Sequence, residues 1–257
     1  MRSLSYAVSD TLVLAQRNLL RIPRAPDLLL SFTVQPVMFL LLFVYVFGGA
    51  IKTPGYDYID FLLPGIIVQT ISFGGFVTAL GLAEDLKKGL IDRFRSLPMA
   101  RSAVLGGRTL ADVATNTLAL AVMIGVGLLV GFSFSSSPLE VVGGIGLLLF
   151  FGYAFSWVFA FIGLTASSGE SAQALGFLII FPLTFASSAF VPVDSMPGWL
   201  QAFADVNPFT TMVDAMRALW VDAPAGNDVW AAVAWSVGIT AVFSALSVAR
   251  YRRAISA

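Results

Sequence analysis

Six long apolar runs, at about 28–48, 61–82, 110–132, 141–166, 172–191 and 230–249, leave this chain few ways to fold. Each is close to or above the ~20 residues a helix needs to cross a hydrocarbon core ~30 Å thick. Lipid offers the backbone no hydrogen-bond partners, so such runs satisfy their own peptide groups as helices. Of the 257 residues 58% are hydrophobic and only 12% charged, with a mean hydropathy of +0.87. A soluble domain would carry about a quarter charged residues. The expected fold class is therefore an all-α integral membrane protein with six transmembrane helices, forming a single transmembrane domain over 1–257. The first 27 residues are polar and end in charge, which does not read as a cleavable signal peptide.

The charges are few and segregated. Six spans put both termini on one side, and that side then holds 13 of the 15 basic residues, leaving only Lys52 and Arg217 on the other. Eight acids share that other side: Asp57, Asp60, Glu140, Asp194, Asp205, Asp214, Asp222 and Asp228. The positive-inside rule makes the basic side cytoplasmic. Shifting the frame by one span destroys the asymmetry, so span count and orientation support each other. The expected location is the cell (inner or plasma) membrane, with both termini cytoplasmic.

Residues 83–112 hold six of the basic residues in the second cytoplasmic segment. Leu86, Leu90, Phe94 and Leu97 fall on one helical face, with Glu84, Asp85, Lys88, Asp92 and Arg95 around the rest. Such a helix lies on a membrane surface or docks a partner that stays out of the membrane. Residues 4–22 form a second amphipathic pattern, with Val8, Leu12, Ala15 and Leu19 on one stripe and Arg17, Arg21 and Arg24 on another. On the outer side, 192–229 is a longer insertion. Ser195 is a candidate cap for a first short helix bearing Trp199, Leu200 and Phe203. Asn207-Pro208 is a cap and first-turn pair for a second. That second helix carries the stripe Phe209, Met212, Met216 and Leu219 and an Asp214–Arg217 pair at i, i+3. Both helices are expected to lie half-sunk at the outer surface, with Trp199 and Trp220 at headgroup depth.

Several chemistries are excluded. Without cysteine or histidine the chain lacks thiolate nucleophiles, the commonest metal ligand and the commonest general base. No Gly-rich loop ends in Gly-Lys-Ser/Thr, so nucleotide phosphates have no cradle of the usual kind. No charged residue falls in the middle of any span, which argues against ion coupling. No catalytic or metal-binding residue is expected, and energy for any transport must come from elsewhere. Polar groups in or near the spans (Gln35, Gln69, Thr70, Asn116, Ser187 and Ser188) are candidates for a substrate path or for interhelical hydrogen bonds. The aromatic row Phe151, Phe155 and Phe159, with Trp157 and Phe161, suits packing or lipid contact better than drug stacking. Gly127 and Gly131 permit close helix approach, within one subunit or across a dimer.

Three runs carry a family resemblance. The first is Glu84-Asp85, Gly89, Asp92-Arg93-Phe94-Arg95-Ser96-Leu97-Pro98, Arg101, Gly107-Arg108 and Asp112. The second is Leu62-Leu63-Pro64-Gly65-Ile66. The third is Phe190-Val191-Pro192, Met196-Pro197, Trp199-Leu200, Asn207-Pro208 and Arg217-Ala218-Leu219. Over essentially its whole length the chain resembles the type-two permeases of ABC exporters, in particular the daunorubicin/doxorubicin-resistance drug-efflux branch. It departs from many relatives in carrying Lys87-Lys88 where they place acid.

The resemblance implies that 83–108 is a coupling region seated in an ATPase subunit, through Glu84, Asp85, Leu86, Gly89, Leu90, Arg93, Phe94, Arg95, Leu97 and Pro98. It implies a connecting helix in 1–27 bearing Arg17, Arg21 and Arg24, and short re-entrant-like outer helices over 192–229. The expected partners are two copies of an ABC ATPase, which would hold ATP and magnesium, a second permease copy or similar subunit, and the lipid bilayer, with no nucleic acid. Export of a hydrophobic drug or antibiotic is the preferred function. Export of a lipid or polysaccharide conjugate is the alternative within transport, and a motor-free channel or scaffold the alternative outside it.

Overall fold

The computed structural model describes residues 26–51, 53, 55, 57–87, 101–224 and 226–256, with side-chain surroundings over most of that range. Among the described residues every element is helical. Helix α1 (Pro26–Leu42) runs into a π-helical turn, Phe43–Phe47. Helices α2 (Tyr58–Phe73) and α3 (Phe76–Lys87) form one interrupted rod. Helix α4 is Arg101–Val130, α5 is Pro138–Thr165 and α6 is Gly169–Phe185. A 3-10 turn, Val193–Ser195, leads to the short α7 (Gly198–Asp205) and to α8 (Pro208–Val221), and α9 spans Asp228–Ser256.

Among the described residues, four helical stretches are long and apolar enough to cross a membrane: Tyr58–Lys87, Leu105–Val130, Pro138–Thr165 and Asp228–Tyr251. Val34–Phe47 and Gly169–Phe185 are shorter apolar helices. The sixth predicted run therefore appears as part of a longer helix, whereas the fifth outruns its helix. Helix α6 stops at Phe185 because its last carbonyls are claimed by side chains. Asn207 Nδ2 donates to Leu183 O (2.7 Å) and Ala186 O (2.8 Å), and the Ser187 hydroxyl donates to Thr184 O. Ser187 and Ser188 consequently lie in a turn after the helix.

Helix α5 is the spine. It starts at a capping box in which Ser137 and Glu140 bond each other's backbone, with Pro138 in the first turn. It then packs against α9, α3, α4, α2, α8 and α6. Phe151 and Phe159 are fully buried and Phe155 nearly so. Phe151 and Phe155 meet Phe209 of α8 at 5.8 and 5.2 Å between ring centroids, and Phe159 meets Phe76 of α3 at 5.4 Å. The aromatic row thus belongs to the core, where edge-to-face pairs add to area burial. Gly127 lets α4 close on α2: a β-carbon there would collide with Leu63 of the same chain.

The outer insertion differs from its expected form. Helix α8 is buried in the bundle against α9, α2 and α5, with Phe209, Met212, Met216 and Trp220 all at 0% exposure. Trp220 does not lie on the surface of the bundle; its indole N–H donates to Val141 O (3.3 Å) and its ring abuts Phe132 and Phe134. An apolar stripe looks the same on a half-sunk helix and on a buried one; here Asn207 and Arg217 draw α8 inward. Only α7 stays peripheral, with Trp199 75% exposed. Ser195 does not cap α7. Its hydroxyl donates to Pro192 O (2.6 Å), and Pro197 occupies the N-cap.

Candidate functional site

Two polar networks sit at opposite ends of the bundle. The first is a ladder on α4. Arg108, Asp112 and Asn116 are spaced i, i+4, i+8 and share one face, which looks onto the interrupted α2–α3 rod and α5. At the foot, Arg108 forms an ion pair with Asp85 in the last turn of α3, the two side chains 13% and 17% exposed. Its guanidinium lies over Gly81, where any β-carbon would meet Arg108 Nη1. One turn higher, the carboxylate of Asp112 (6% exposed) is buried beside the hydroxyls of Thr78 on α3 and Ser156 on α5, the latter donating to Gly152 O (3.2 Å). Its Oδ2 has no hydrogen-bond partner among the described residues. At the top, Asn116 donates from Nδ2 to Ile71 O (3.2 Å).

That last bond falls at the break in the rod. Gly74 and Gly75 interrupt the helix, and a β-carbon on Gly74 would overlap the Asn116 amide. The absence of side chains admits the asparagine, which sits where the two helical halves meet. Below the break α3 hugs α5: a β-carbon on Gly163 would stand 2.5 Å from Ala79 O. Glu84, Asp85 and Leu86 complete α3, so the expected boundary between the second span and the charged helix at residue 83 is not a break. The rod runs on without interruption to Lys87.

The second network surrounds Arg217 of α8, 6% exposed. Its Nε and Nη2 donate to Phe61 O on α2 (3.1 and 2.9 Å), and Nη2 also donates to Ser188 O (2.7 Å). Nη1 donates to Asp214 Oδ1 (2.7 Å), which also accepts from the Ser188 hydroxyl (2.9 Å). The guanidinium carbon lies 3.6 Å from the centroid of the Phe61 ring, a cation–π contact. The i, i+3 pair expected from spacing is present, but as one arm of a hub joining α2, the turn after α6 and α8.

Of the coupling residues, Glu84, Asp85 and Leu86 lie on the last turn of α3. Gly89, Leu90, Arg93, Phe94, Arg95, Leu97 and Pro98 lie outside the described residues, as do Arg17, Arg21 and Arg24. Of the polar candidates, Asn116 and Ser188 are held in the two separate networks. Gln35 is exposed on α1, Gln69 is half-buried on α2, and the Thr70 hydroxyl turns back to Ile66 O (2.7 Å). Sequence reasoning passed over the Arg108–Asp112–Asn116 ladder, although its i, i+4, i+8 spacing at the start of an apolar run was a visible signal.

The fold and the two networks describe a multi-pass membrane protein whose described polar contacts join its helices. The ABC-2 type transporter family matches residues 9–220, and the chain belongs to that family. It is 38% identical over 246 residues to the daunorubicin resistance ABC transporter permease protein DrrB1 of Streptomyces coeruleorubidus, covering 96% of this chain and 87% of that one. It is 25% identical over 248 residues to the probable doxorubicin resistance ABC transporter permease protein DrrC of Mycobacterium tuberculosis, covering 96% and 90%. A probable multidrug ABC transporter permease of Escherichia coli, YbhR, is 23% identical over 210 residues, covering 79% of this chain and 55% of that one.

Proposed function

We propose that the chain is the membrane-spanning, non-catalytic permease subunit of an ATP-driven exporter of hydrophobic, drug-like molecules. Two permease copies and two ATPase subunits form the working unit, and ATP and magnesium bind the ATPase chains. The single transmembrane domain crosses the membrane six times with both termini cytoplasmic. The coupling region 83–108 seats in the ATPase groove, and 1–27 lies beside it as the connecting helix.

The observation that carries this reading is the ladder beside the interrupted rod. Helix α3 and the start of α4 flank the charged 83–108 region, and Arg108, Asp112 and Asn116 tie that end to the Gly74–Gly75 break. A push on the coupling region is thereby applied to a rod already divided in two. The substrate class rests on the names of the relatives and on a chain with little fixed charge inside the spans. The permease's own task is to offer the substrate different affinity in two states, since only differential binding shifts such an equilibrium.

The test is ATP-driven efflux from vesicles holding the permease and its ATPase. Glu84→Ala and Arg93→Ala should abolish efflux of an anthracycline while the protein still inserts. A permease that conducts alone, indifferent to both substitutions, would establish the motor-free channel or scaffold instead. Transport of a lipid or polysaccharide conjugate in place of the anthracycline would move the substrate class.

A further inference from the structure

Three features on one face of the bundle share one guanidinium. Arg108 is paired with Asp85 on α3. Gly81, one turn before Asp85, leaves room for the guanidinium to lie there. Asp112, one turn further along α4, is buried among α3 and α5 with its Oδ2 lacking a donor among the described residues. Residues at i and i+4 of a helix stand ~6 Å apart at their β-carbons, within reach of an arginine side chain. A buried carboxylate oxygen without a donor is costly to maintain, whereas a guanidinium brings five donors.

We propose that Arg108 is a two-position switch. In the state described here it holds Asp85, which fixes the end of α3 against α4. In a second state it releases Asp85 and turns along its own helix to Asp112, and the end of α3 is freed from α4. The two states exchange one ion pair for another, so neither leaves the arginine buried without a counter-charge. The change is local to the foot of the ladder. Asp112 stays beside Thr78 and Ser156 in both states, and Asn116 holds the hinge at Gly74–Gly75 above it. That the coupling region drives the switch rests on the motor-coupled reading; the switch itself does not.

The chain has no cysteine, so single cysteines placed at Lys87 and Ala114 accept spin labels without further changes. Pulsed electron resonance on the purified permease in lipid nanodiscs then reads the separation of α3 from α4. Asp85→Asn removes the first partner, and Gly81→Ala crowds the guanidinium without altering any charge. Each should shift the mean label distance by about 2 Å or more, the scale of helix shifts in switching proteins. Adding Asp112→Asn to Gly81→Ala should restore the parent distribution, because Asp85 is then the one of the two partners left to Arg108.

An unchanged distance in Gly81→Ala or in Asp85→Asn overturns the switch, and so does a Gly81→Ala shift that survives Asp112→Asn. Gly81→Ala keeps the test open if Asp85→Asn fails to fold. Adding the ATPase and a non-hydrolysable nucleotide to the parent separates the two readings. Labels that answer the substitutions but not the nucleotide support the switch and count against the motor as its driver.

Discussion

Replacing Arg217 by methionine keeps most of the aliphatic volume and removes every donor. Phe61 O then loses two donors and Ser188 O loses one, in a site where the arginine is 6% exposed. Leaving a buried acceptor unsatisfied costs ~1–3 kcal/mol each. Asp214 loses its ion pair, but that side chain is 35% exposed and keeps the Ser188 hydroxyl, so its share is small. The sum lies at about 3–5 kcal/mol, the range for breaking a buried charged contact. In a chain of this size that corresponds to roughly 10 °C in melting temperature. Thermal unfolding in detergent, followed by size-exclusion of the surviving protein, measures it. Arg217→Lys should fall between, because a single ammonium cannot span all three acceptors. Asp214→Asn should change stability by less than about 1 kcal/mol. If Arg217→Met melts within ~2 °C of the parent, or Asp214→Asn costs as much as Arg217→Met, the carbonyl-centred account is wrong.

Asn207→Ala removes the cap on Phe209 N–H and both donors to the end of α6. A loss of ~2–4 kcal/mol is expected in the same melting assay, against ~1 kcal/mol for an ordinary cap. Gly163→Ala places a methyl 2.5 Å from Ala79 O and must push α3 from α5. The overpacking should cost ~1–3 kcal/mol, and Gly146→Ala on the same helix, where nothing lies within 4 Å, should cost nothing measurable.

Local patterns were legible in the sequence; depth and long-range pairing were not. The Asn207-Pro208 start of α8 and the Asp214–Arg217 pair follow from spacing within one turn, and both are present. The burial of α8 does not, because Phe209, Met212 and Met216 make the same stripe toward lipid as toward protein. Arg217 reaches Phe61 O across 156 positions, and no periodicity encodes a bond to a backbone carbonyl. The Gly74-Gly75 pair was visible in the second span, whereas the asparagine that fills it comes from α4. Asp112 was read as part of a family motif near the edge of a span, and its burial depends on α4 packing against α3 and α5 there. The interruption of the α2–α3 rod and its continuation to Lys87 likewise depend on packing rather than on hydropathy, which stays high across both glycines.

The Arg217 hub also has a consequence for how the chain is made. Translation delivers Phe61 and Ser188 well before Arg217, so a nascent bundle carries both carbonyls without their donor until α8 arrives. The late helix then closes two earlier elements at once through groups that every residue possesses. A nascent chain halted before residue 208 should be cleared by membrane quality control faster than one halted after 221, measured by pulse-chase. Equal lifetimes would show that the bundle settles without its last clasp.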